Sequence, residues 1–587
     1  MYNPYMETTT QPTQKNHNQS QQKSGLHPVI LRLFEKRGMS QDEIVEFLSW
    51  DLKNLPELTE MMGMDEAADR ILKAIENHEH IGIYGDYDVD GTTSCALFWH
   101  FFDMIGFKVS LIQPSRFIEG YGLHASSIDK AVDDGINLLI TVDCGITNNE
   151  AADYAKEKGL DLIITDHHKD ARDEMPNALA VVNPNRRDEP EDSPLRPLAG
   201  VGVAFAVCWE VRKRLENKGQ SIPSLYPLLQ FVAVGTICDL AKLTPMNLKL
   251  VRHGLKQIPQ TQYAGIRAFF SPEERKQKMI PSEKLSFNVG PLINSKGRLD
   301  HPEKALNLLI SSDSTEAYEN YSHLEVSNKE RKFIQAEVFQ SAKEQYLKTF
   351  DGSDPIVAIV YQEDWHEGVI GIVASKLVES FKVPAIVFTN AEQEGIIKAS
   401  ARSAGDLNIF NLLQECSDLF AKFGGHKAAA GLSMPKENLP LFREKMEGLL
   451  REIPLIERTK GEHYDLEIAP QEINPKLVKE LDLLEPFGMG NEKPIFKMKG
   501  IKLTNYDLLK DVHVRWSFAP KDPAIKMPPL KGISFNYIGS FNKAHPQEIF
   551  TRQNNEEITA YFTLGINRFN GNEYIQLMVD RITIDEI

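Results

Sequence analysis

Three aspartates occur close together in the run Gly85-Asp86-Tyr87-Asp88-Val89-Asp90-Gly91, between a short apolar stretch and an apolar helical pattern. Because no basic residue is interleaved, the carboxylates repel one another unless solvent or a divalent cation compensates their charge. The pattern also matches the start of a calcium EF-hand loop, which needs a glutamate six residues after its glycine. Leu97 occupies that position, so the EF-hand is excluded. A solvated acidic turn remains the alternative to a metal site.

Carboxylates and imidazoles follow further apolar runs. Asp143 comes directly after one run, Asp166, His167 and His168 follow the next, and Asp239 follows a later one. The carboxyl ends of parallel strands meet at one edge of a sheet, where such folds bind ligands. The sequence therefore predicts that these side chains gather at one site.

The donor types indicate which metal and which chemistry to expect. Oxygen ligands with one or two imidazoles suit Mg²⁺ or Mn²⁺, and the histidines favour Mn²⁺. Four acidic segments carry more charge than one divalent ion usually collects, so two ions about 3.5–4 Å apart fit better. Such pairs commonly hydrolyse phosphate esters, one ion activating water and the other stabilising the departing oxygen.

A phosphoesterase also needs cationic or amide groups for the phosphate oxygens. We expect them in segments marked by glycine and proline, which we interpret as loops rather than helices. The candidates are Arg116, Arg298, Ser400 with Arg402, and the run Gly424-Gly425-His426-Lys427. A surface salt bridge is the alternative for each arginine, whereas adjacent glycines favour close approach of the backbone to a phosphate.

Length and composition limit the class of protein. The chain has 587 residues, with 83 acidic and 66 basic side chains and a net charge of −17. At about 100–200 residues per domain, this length predicts three or four domains. The acidic balance argues against a surface covered with nucleic-acid-binding charge but allows a local basic groove. No apolar run approaches the roughly 20 residues that span a bilayer, so we expect no membrane association.

The cysteines and the N-terminal residues indicate a compartment. The five cysteines are far apart and include no Cys-x-x-Cys pair, which predicts buried free thiols and a reducing environment, the cytoplasm. Residues 1–24 hold 14 Asn, Gln, Ser or Thr and lack the apolar core of a signal peptide. We therefore predict a disordered polar tail there.

Hydrophobic patterning predicts an α/β multidomain protein. Strands at 81–84, 138–142, 162–165 and 179–182 alternate with helical patterns, which indicates a parallel sheet with right-handed crossovers. A long charged helix, a second α/β pattern and a set of short alternating runs follow. The last set is typical of a small all-β barrel or sandwich.

The motifs together resemble the DHH phosphoesterase superfamily and, within it, the RecJ single-stranded-DNA exonucleases. The first motif is Tyr84 to Gly91, the second Asp143, the third Asp166-His167-His168 and the fourth Asp239. Two later segments, Asp364 to Ala374 and Gly424-Gly425-His426, are similar to the DHH-associated second domain, DHHA1. Pro486 to Asn491 and Asn567 to Gly571 are similar to parts of the RecJ OB-fold region.

The resemblance implies a domain order and an activity. We expect a DHH catalytic domain at 25–313, a linking helix at 314–350, a DHHA1 domain at 351–455 and an OB-fold domain at 460–587. The implied activity is a metal-dependent exonuclease that digests single-stranded DNA from the 5′ end to 5′-mononucleotides in recombination and repair. The implied partners are single-strand-binding protein and a RecQ-type helicase.

The resemblance also implies roles for individual residues. Asp166 and His168 would orient ligands or contact the scissile phosphate. From the aromatic pattern itself, we expect two or three rings of the all-β unit to touch DNA, and Phe569, beside Arg568 in a Gly/Asn turn, is the most exposed candidate. Arg116, Arg298, Ser400 and Arg402 would hold the 5′-terminal phosphate with the help of His426. Asp143 would bridge two ions held by Asp86, Asp88, Asp90, Asp143, His167 and Asp239.

Two other functions stay open from the sequence. One is a phosphodiesterase for short oligonucleotides or cyclic dinucleotides, although small DHH phosphodiesterases generally lack an OB-like domain. The other is a catalytically inactive scaffold, which predicts eroded ligand positions. Every metal-binding position here carries a suitable residue.

Overall fold

The computed structural model describes residues 25–114, 120, 122–170, 174–299, 303–349, 356–458, 463–538, 543–554, 556–569 and 572–586. The predicted polar tail 1–24 lies outside them. The described chain divides into two compact units. The first contains Met39–Asn328 and Leu483–Lys493, and the second contains Leu26–Gly38, Lys329–Asp482 and Pro494–Ile587.

Helices and strands alternate along both units. The helices are α1 Pro28–Lys36, α2 Gln41–Leu48, α3 Met64–Glu76, α4 Val89–Met104, α5 Ala125–Asp133, α6 Asn149–Glu157, α7 Gly200–Asn217, α8 Leu229–Cys238, α9 Pro245–Gln257, α10 Ala264–Ala268, α11 Ser282–Lys284, α12 Gly290–Leu299, α13 Glu303–Ile310, α14 Ser314–Thr349, α15 Glu367–Phe381, α16 Ile409–Gln414, α17 Leu439–Arg451, α18 Leu455–Arg458, α19 Pro475–Leu481 and α20 Pro546–Arg552. The strands are β1 Ile81–Gly85, β2 Val109–Ile112, β3 Leu138–Val142, β4 Asp161–Thr165, β5 Ala180–Val182, β6 Ala358–Tyr361, β7 Ala385–Asn390, β8 Ile396–Arg402, β9 Lys422–Gly425, β10 Ala429–Pro435, β11 Leu466–Glu467, β12 Phe496–Leu509, β13 His513–Pro520, β14 Leu530–Ser534, β15 Glu556–Phe569 and β16 Asn572–Glu586.

The first unit is built on a five-stranded parallel sheet in the order β2-β1-β3-β4-β5. The predicted parallel sheet is confirmed. Both β1 and β3 are buried along their whole length, as their continuous apolar sequence indicates. Sequence patterning missed β2, a half-exposed edge strand. Helix α4 is buried behind the sheet and packs against α7 and α8.

Two segments of the first unit are helical where the sequence suggested otherwise. The segment that carries Arg298 was expected to be a loop, but it forms α12. Helix α12 continues directly from a π-helical turn at Leu285–Val289, where the Gly290 N–H donates to the Leu285 carbonyl. The regular i to i−4 hydrogen bonds are already interrupted in this wider turn, so the missing N–H of Pro291 does not break the helix. The apolar run before Asp239 is also a helix, α8.

The second unit contains a mixed sheet in the order β6-β7-β8-β10-β9. Strands β6 and β7 are parallel, and the other pairs are antiparallel. The sequence placed Ser400 and Arg402 in a loop after the strands of this domain, and that is wrong. Both belong to β8, whose residues alternate between buried and half-buried. This period-two alternation puts Lys398, Ser400 and Arg402 on one face.

The C-terminal strands form a closed barrel. The sheet runs β12-β13-β14-β16-β15, and β12 also pairs with β15, which closes it. Strand β11 adds to the outside of β12. Trp516, Phe518 and Phe562 are buried. The predicted all-β barrel is therefore confirmed.

All five cysteines are free thiols, four of them buried and Cys238 half-buried. None of the helices in the described ranges combines the length and the apolar character that a membrane crossing requires.

Candidate metal centre

The turn between β1 and α4 carries the first three aspartates. Asp88 caps the helix, accepting a hydrogen bond from the backbone N–H of Gly91 at 3.0 Å. A Cβ at Gly91 would collide with the backbone of Asp86, so the glycine allows the tight turn. This turn directs the three carboxylates to the carboxyl edge of the sheet, where the sequence predicted them.

Asp90 is 1 % exposed and is held by the start of α7. Its carboxylate accepts hydrogen bonds from the backbone N–H groups of Gly200 at 2.6 Å and Val201 at 2.9 Å. A helix N-terminus stabilises a negative charge. Each oxygen accepts one N–H and keeps a further lone pair for a cation.

Asp143 lies directly after β3 with a φ of +58°, in the left-handed region that non-glycine residues rarely adopt. It is 2 % exposed. Gly200 packs against it closely, because a Cβ there would lie 2.8 Å from the Cβ of Asp143. The backbone strain and the close packing both fix the direction of this carboxylate.

Asp166 differs from the other aspartates because its lone pairs are used inside the protein. Oδ1 accepts hydrogen bonds from the His167 N–H at 2.7 Å, the His168 N–H at 2.9 Å and His168 Nδ1 at 2.8 Å. Oδ2 accepts one from the Ile146 N–H at 3.0 Å. This fully buried carboxylate therefore orients the two histidines and has little left for a cation.

His167 lies at the centre of the cluster. Its Nε2 is 3.1 Å from Oδ1 of Asp143 and 3.7 Å from a carboxylate oxygen of both Asp90 and Asp239. The ring also hydrogen-bonds the backbone of Leu198. When one ring nitrogen donates to a carbonyl, the tautomer is fixed and the other nitrogen offers its lone pair to a metal.

The donor atoms form three overlapping groups, each with all of its atoms within 4.8 Å of one another. Asp143 and His167 each belong to two of them. The groups are Asp86, Asp88 and Asp143; Asp90, His167 and Asp239; and Asp143, His167 and His168.

The buried polar atoms fit a divalent cation. Oδ1 of Asp143 and Nε2 of His167 are both buried, and neither makes a hydrogen bond within the described part of the chain. Buried polar atoms normally have a partner, and carboxylate oxygens with an imidazole nitrogen suit Mn²⁺ or Mg²⁺.

Burial and mutual repulsion shift the pKa values of the carboxylates upward. Burial raises the pKa of Asp90 to about 7 and that of Asp239 to about 8, and neighbouring aspartates add to both shifts. The pKa of Asp143 is raised well above its usual value by burial and then by the charges of four aspartates, Asp90 first. Bound divalent cations would lower these pKa values again, because a cation favours the charged form of a carboxylate.

The two histidines shift in opposite directions. Burial, followed by the charge of His168, lowers the pKa of His167 to about 4. Burial also opposes the charged form of His168. The hydrogen bond to Asp166 and the negative charge of Asp166 outweigh this effect and raise the pKa of His168 to about 9. A neutral His167 suits metal ligation, and a cationic, 41 % exposed His168 suits contact with a phosphate.

Sequence reasoning missed the residues that hold the histidine backbone. Asn183 Nδ2 donates to the carbonyl of His168 at 2.9 Å, and Asn185 Nδ2 donates to the carbonyl of His167 at 2.7 Å. Both asparagines follow β5, so the strand-end rule that found the aspartates also points to them.

Among the predicted phosphate-binding residues, Arg116 lies outside the described residues. Arg298 lies on α12, and its side chain is also outside them. Ser400 and Arg402 share one face of β8. Gly371 of α15 packs over both, because a Cβ there would lie 3.0 Å from Nη2 of Arg402 and 3.3 Å from Oγ of Ser400.

His426 lies in the turn between β9 and β10, where its N–H donates to the Ala429 carbonyl at 2.8 Å. Ala429 pairs with Arg402 across the sheet. The second unit therefore places His426 in the turn that leads into β10, the strand that pairs with the Ser400 and Arg402 strand β8.

Several aromatic residues of the barrel domain belong to its core, as the expectation that only two or three rings touch DNA requires. Phe535 and Tyr574 are 58 % and 55 % exposed. Phe569 ends β15, and its side chain lies outside the described residues. The buried ones are Trp516, Phe518, Tyr537, Tyr561 and Phe562.

Three family models match the chain. They are the DHH family N-terminal domain at residues 80–236, the DHHA1 domain at 354–452 and the RecJ OB domain at 464–581. The parallel sheet with its strand-end carboxylates and histidines thus defines a protein of the DHH class.

Similar proteins and structures show which family within the DHH class the chain belongs to. The chain is 34 % identical to the single-stranded-DNA-specific exonuclease RecJ of Bacillus subtilis, over 95 % of this chain and 68 % of that protein. It is 30 % identical to RecJ of Escherichia coli, over 95 % of this chain and 96 % of that protein. The crystal structure of Thermus thermophilus RecJ in complex with Mn²⁺ matches with a TM-score of 0.77 and 26 % identity, over 96 % of this chain and 76 % of that one. The chain belongs to the RecJ family.

Proposed function

We propose that this protein is a metal-dependent exonuclease that hydrolyses single-stranded DNA from the 5′ end, releasing 5′-mononucleotides in recombination and repair. The relatives named above are single-stranded-DNA-specific exonucleases. The observation that carries the proposal is the placement of Asp143, which belongs to two donor groups and whose Oδ1 has no hydrogen bond among the described residues.

Two divalent ions, Mn²⁺ or Mg²⁺, occupy the site in this proposal. Relatives of this chain have been crystallised with each of these ions. The ions would activate a water molecule and stabilise the departing oxygen of the phosphodiester. The residues that would hold the ions are Asp86, Asp88, Asp90, Asp143, His167 and Asp239, and Asp143 would be the candidate for a shared ligand because it belongs to two of the donor groups.

Asp166 and His168 act beside the ligands. Asp166 keeps His168 protonated and correctly turned through the 2.8 Å contact to Nδ1. The exposed imidazolium then faces the scissile phosphate and stabilises its negative charge. Neither residue needs to bind a metal ion for this role.

Within the second unit, the proposed ligands of the 5′-terminal phosphate are Ser400, Arg402 and His426. Arg116 and Arg298, which belong to the first unit, are further candidates that come from the sequence alone. Ser400 and Arg402 lie on the same face of β8, and Gly371 leaves that face open because glycine has no side chain. This arrangement supports phosphate binding by the second unit. A guanidinium and a hydroxyl on one face suit the oxygens of a terminal phosphate.

The barrel binds the rest of the strand. Phe569 remains the proposed stacking residue, and Phe535 adds an exposed aromatic ring at the end of β14. OB-folds bind single strands on their second and third strands and adjoining loops, here β13 and β14. Arg515 of β13 is 55 % exposed and suits the phosphate backbone.

The domain boundaries, partners and compartment are parts of the same proposal. The catalytic domain spans 25–313, the linking helix 314–350, the DHHA1 domain 351–455 and the OB-fold domain 460–587. Single-strand-binding protein and a RecQ-type helicase are the proposed partners, and the cytoplasm is the proposed location.

Binding and cleavage can be tested together with a 5′-phosphorylated single strand and Mn²⁺. Mononucleotide release should require the metal and should stop with a chelator. A protein that cleaved only dinucleotides would instead support the phosphodiesterase alternative, and one that bound DNA without any cleavage would support the inactive scaffold.

A further inference from the structure

We infer that residues 483–493 and Asn247 position Asp239. We call residues 483–493 the support segment and residues 239–244 the Asp239 loop. Asp239 caps the C-terminal end of α8, and its side chain is 22 % exposed, so it is less buried than Asp90 or Asp143. The inference rests on the proposed role of Asp239 as a metal ligand.

The Asp239 loop does not hold its shape through local preference. Leu240 has a φ of +61° and is 64 % exposed, although a leucine is disfavoured in the left-handed region. Such a conformation persists only where surrounding contacts fix it. The contacts that fix this loop therefore also fix the direction of Asp239.

The support segment provides one set of these contacts. The Leu243 N–H donates to the Met489 carbonyl at 2.8 Å. A Cβ at Gly488 would lie 2.9 Å from Cδ1 of Leu243, and a Cβ at Gly490 would lie 2.8 Å from Cγ of Lys242. The two glycines thus allow the segment to lie directly against the loop.

The support segment is itself rigid. Asn491 is 2 % exposed and donates to the carbonyls of Leu484 and Pro486, both at 2.8 Å. Ser282 Oγ donates to the Phe487 carbonyl at 2.7 Å. A segment that is cross-linked internally by Asn491 and anchored through Ser282 can transmit its position to the loop it touches.

Asn247 ties the loop to the other side of the site. It is 1 % exposed, and its Nδ2 donates to the carbonyls of Lys242 at 2.9 Å and Pro197 at 2.7 Å. Pro197 immediately precedes Leu198, whose backbone hydrogen-bonds the His167 ring. Asn247 therefore sets the distance between the segment that contacts the His167 ring and the loop that carries Asp239.

The first test substitutes Gly490 with alanine and uses Gly500→Ala as its matched control. Both glycines have a positive φ, +77° and +64°, but a Cβ at Gly500 meets nothing within 4 Å. Both variants should lose similar thermal stability. Only Gly490→Ala should weaken Mn²⁺ binding, by about 10- to 100-fold in a calorimetric titration, as for other residues that orient metal ligands.

Adding Lys242→Ala to Gly490→Ala removes the atoms that the new Cβ meets. The double variant should recover the Mn²⁺ affinity of Lys242→Ala alone. Failure to recover it, or unchanged Mn²⁺ binding in Gly490→Ala, overturns the inference.

The second test is Asn247→Ala with Gln257→Ala as its control. Gln257 also donates its amide to two carbonyls, those of Tyr226 and His253, and touches no candidate ligand. Only Asn247→Ala should weaken Mn²⁺ binding and speed amide hydrogen exchange at Leu243 in metal-free protein. Equal effects in the two variants would reduce Asn247 to a general stability role and contradict the inference.

Asp239→Ala separates this inference from the proposed function. If Asp239→Ala binds Mn²⁺ as tightly as the unaltered chain, the metal assignment of Asp239 fails and the inference fails with it. If Asp239→Ala weakens binding but Gly490→Ala and Asn247→Ala do not, the inference alone fails.

Discussion

Oδ1 of Asp143 and Nε2 of His167 lie 3.1 Å apart, and neither atom makes a hydrogen bond within the described residues. Two acceptors that face each other in a buried site repel unless a cation lies between or beside them. The backbone strain at Asp143 and the hydrogen bond from His167 to Leu198 hold both atoms in this arrangement. The protein thus maintains a cation-binding geometry through contacts of its own.

Asp143→Ala should abolish hydrolysis while keeping the fold. Loss of the shared carboxylate removes several kcal/mol of transition-state stabilisation, so the rate should fall by about a thousandfold or more. In the metal-free protein the variant should melt at a higher temperature, because a buried like charge is removed. Calorimetry and a nuclease assay check both effects, with exposed Asp192→Ala as the control. Retained turnover in Asp143→Ala would disprove the two-metal assignment.

Asp166→Ala should act mainly on the position of the histidines. Four hydrogen bonds end on this buried carboxylate, so the variant should lose about 3–5 kcal/mol of stability. Asp166→Asn keeps part of the acceptor capacity and should lose less. Chemical denaturation measures the stability, and a Mn²⁺ titration measures metal binding. A larger loss of Mn²⁺ affinity in Asp166→Asn than in Asp143→Asn would make Asp166 a ligand.

Glu485→Gln should change the pH dependence of stability. Burial, with the charge of Glu283, raises the pKa of Glu485 from 4.5 to about 7, against the opposing charge of Lys493. The folded state therefore favours the neutral acid. Its contribution to stability is complete below pH 4.5 and is lost as the pH rises through 7.

Gln stays neutral at every pH, so the variant should gain stability relative to the unaltered chain between pH 5 and pH 8. The shift corresponds to a gain of up to about 3 kcal/mol. Denaturation at the two pH values measures it, and exposed Glu60→Gln is the control. A pH-independent difference would show that Glu485 is ionised in the folded protein.

Arg402→Ala should remove the preference for phosphorylated 5′ ends. A charge-assisted contact to phosphate contributes about 1.5–3 kcal/mol, so KM for 5′-phosphorylated strands should rise about 10- to 100-fold. Strands with a 5′-hydroxyl should be affected much less. Arg451, exposed on α17 of the same unit, provides the control substitution. An equal effect on both kinds of end would remove Arg402 from the phosphate site.

Phe535→Ala should weaken binding of single strands without unfolding the barrel. Stacking of one base on an aromatic ring contributes about 1–3 kcal/mol. Phe518→Ala, at a buried position of the same barrel, should instead destabilise the fold by about 3–5 kcal/mol. Fluorescence anisotropy without divalent metal, together with thermal unfolding, separates the two effects. Unchanged affinity in Phe535→Ala would exclude this ring from the DNA surface.

The sequence predicted where the candidate ligands gather because their position depends on local rules. A strand followed by Asp86, Asp143 or Asp166 delivers the side chain to a known edge of a parallel sheet. The contacts of Gly200 and Asn247 depend on backbone and side-chain groups of distant segments. No periodicity in the sequence reveals such pairs.

The wrong predictions have an equally physical cause. Gly290 and Pro291 favour a loop by their residue types, but they directly follow a π-helical turn in which the regular helical hydrogen bonds are already interrupted. The helix therefore continues through them and carries Arg298. Ser400 and Arg402 extend a strand that has polar residues on one face. The sequence also does not show which barrel aromatics are exposed, because alternation along a strand does not tell which of its two faces packs into the core.

The most direct test of the account is digestion of one single-stranded oligonucleotide that carries a label at either its 5′ or its 3′ end, with Mn²⁺ and with excess chelator. The account predicts that the 5′ label appears at once as a mononucleotide, that the 3′ label stays on progressively shorter strands, and that chelator stops both. Release of the 3′ label first, or digestion that continues in the chelator, would contradict it.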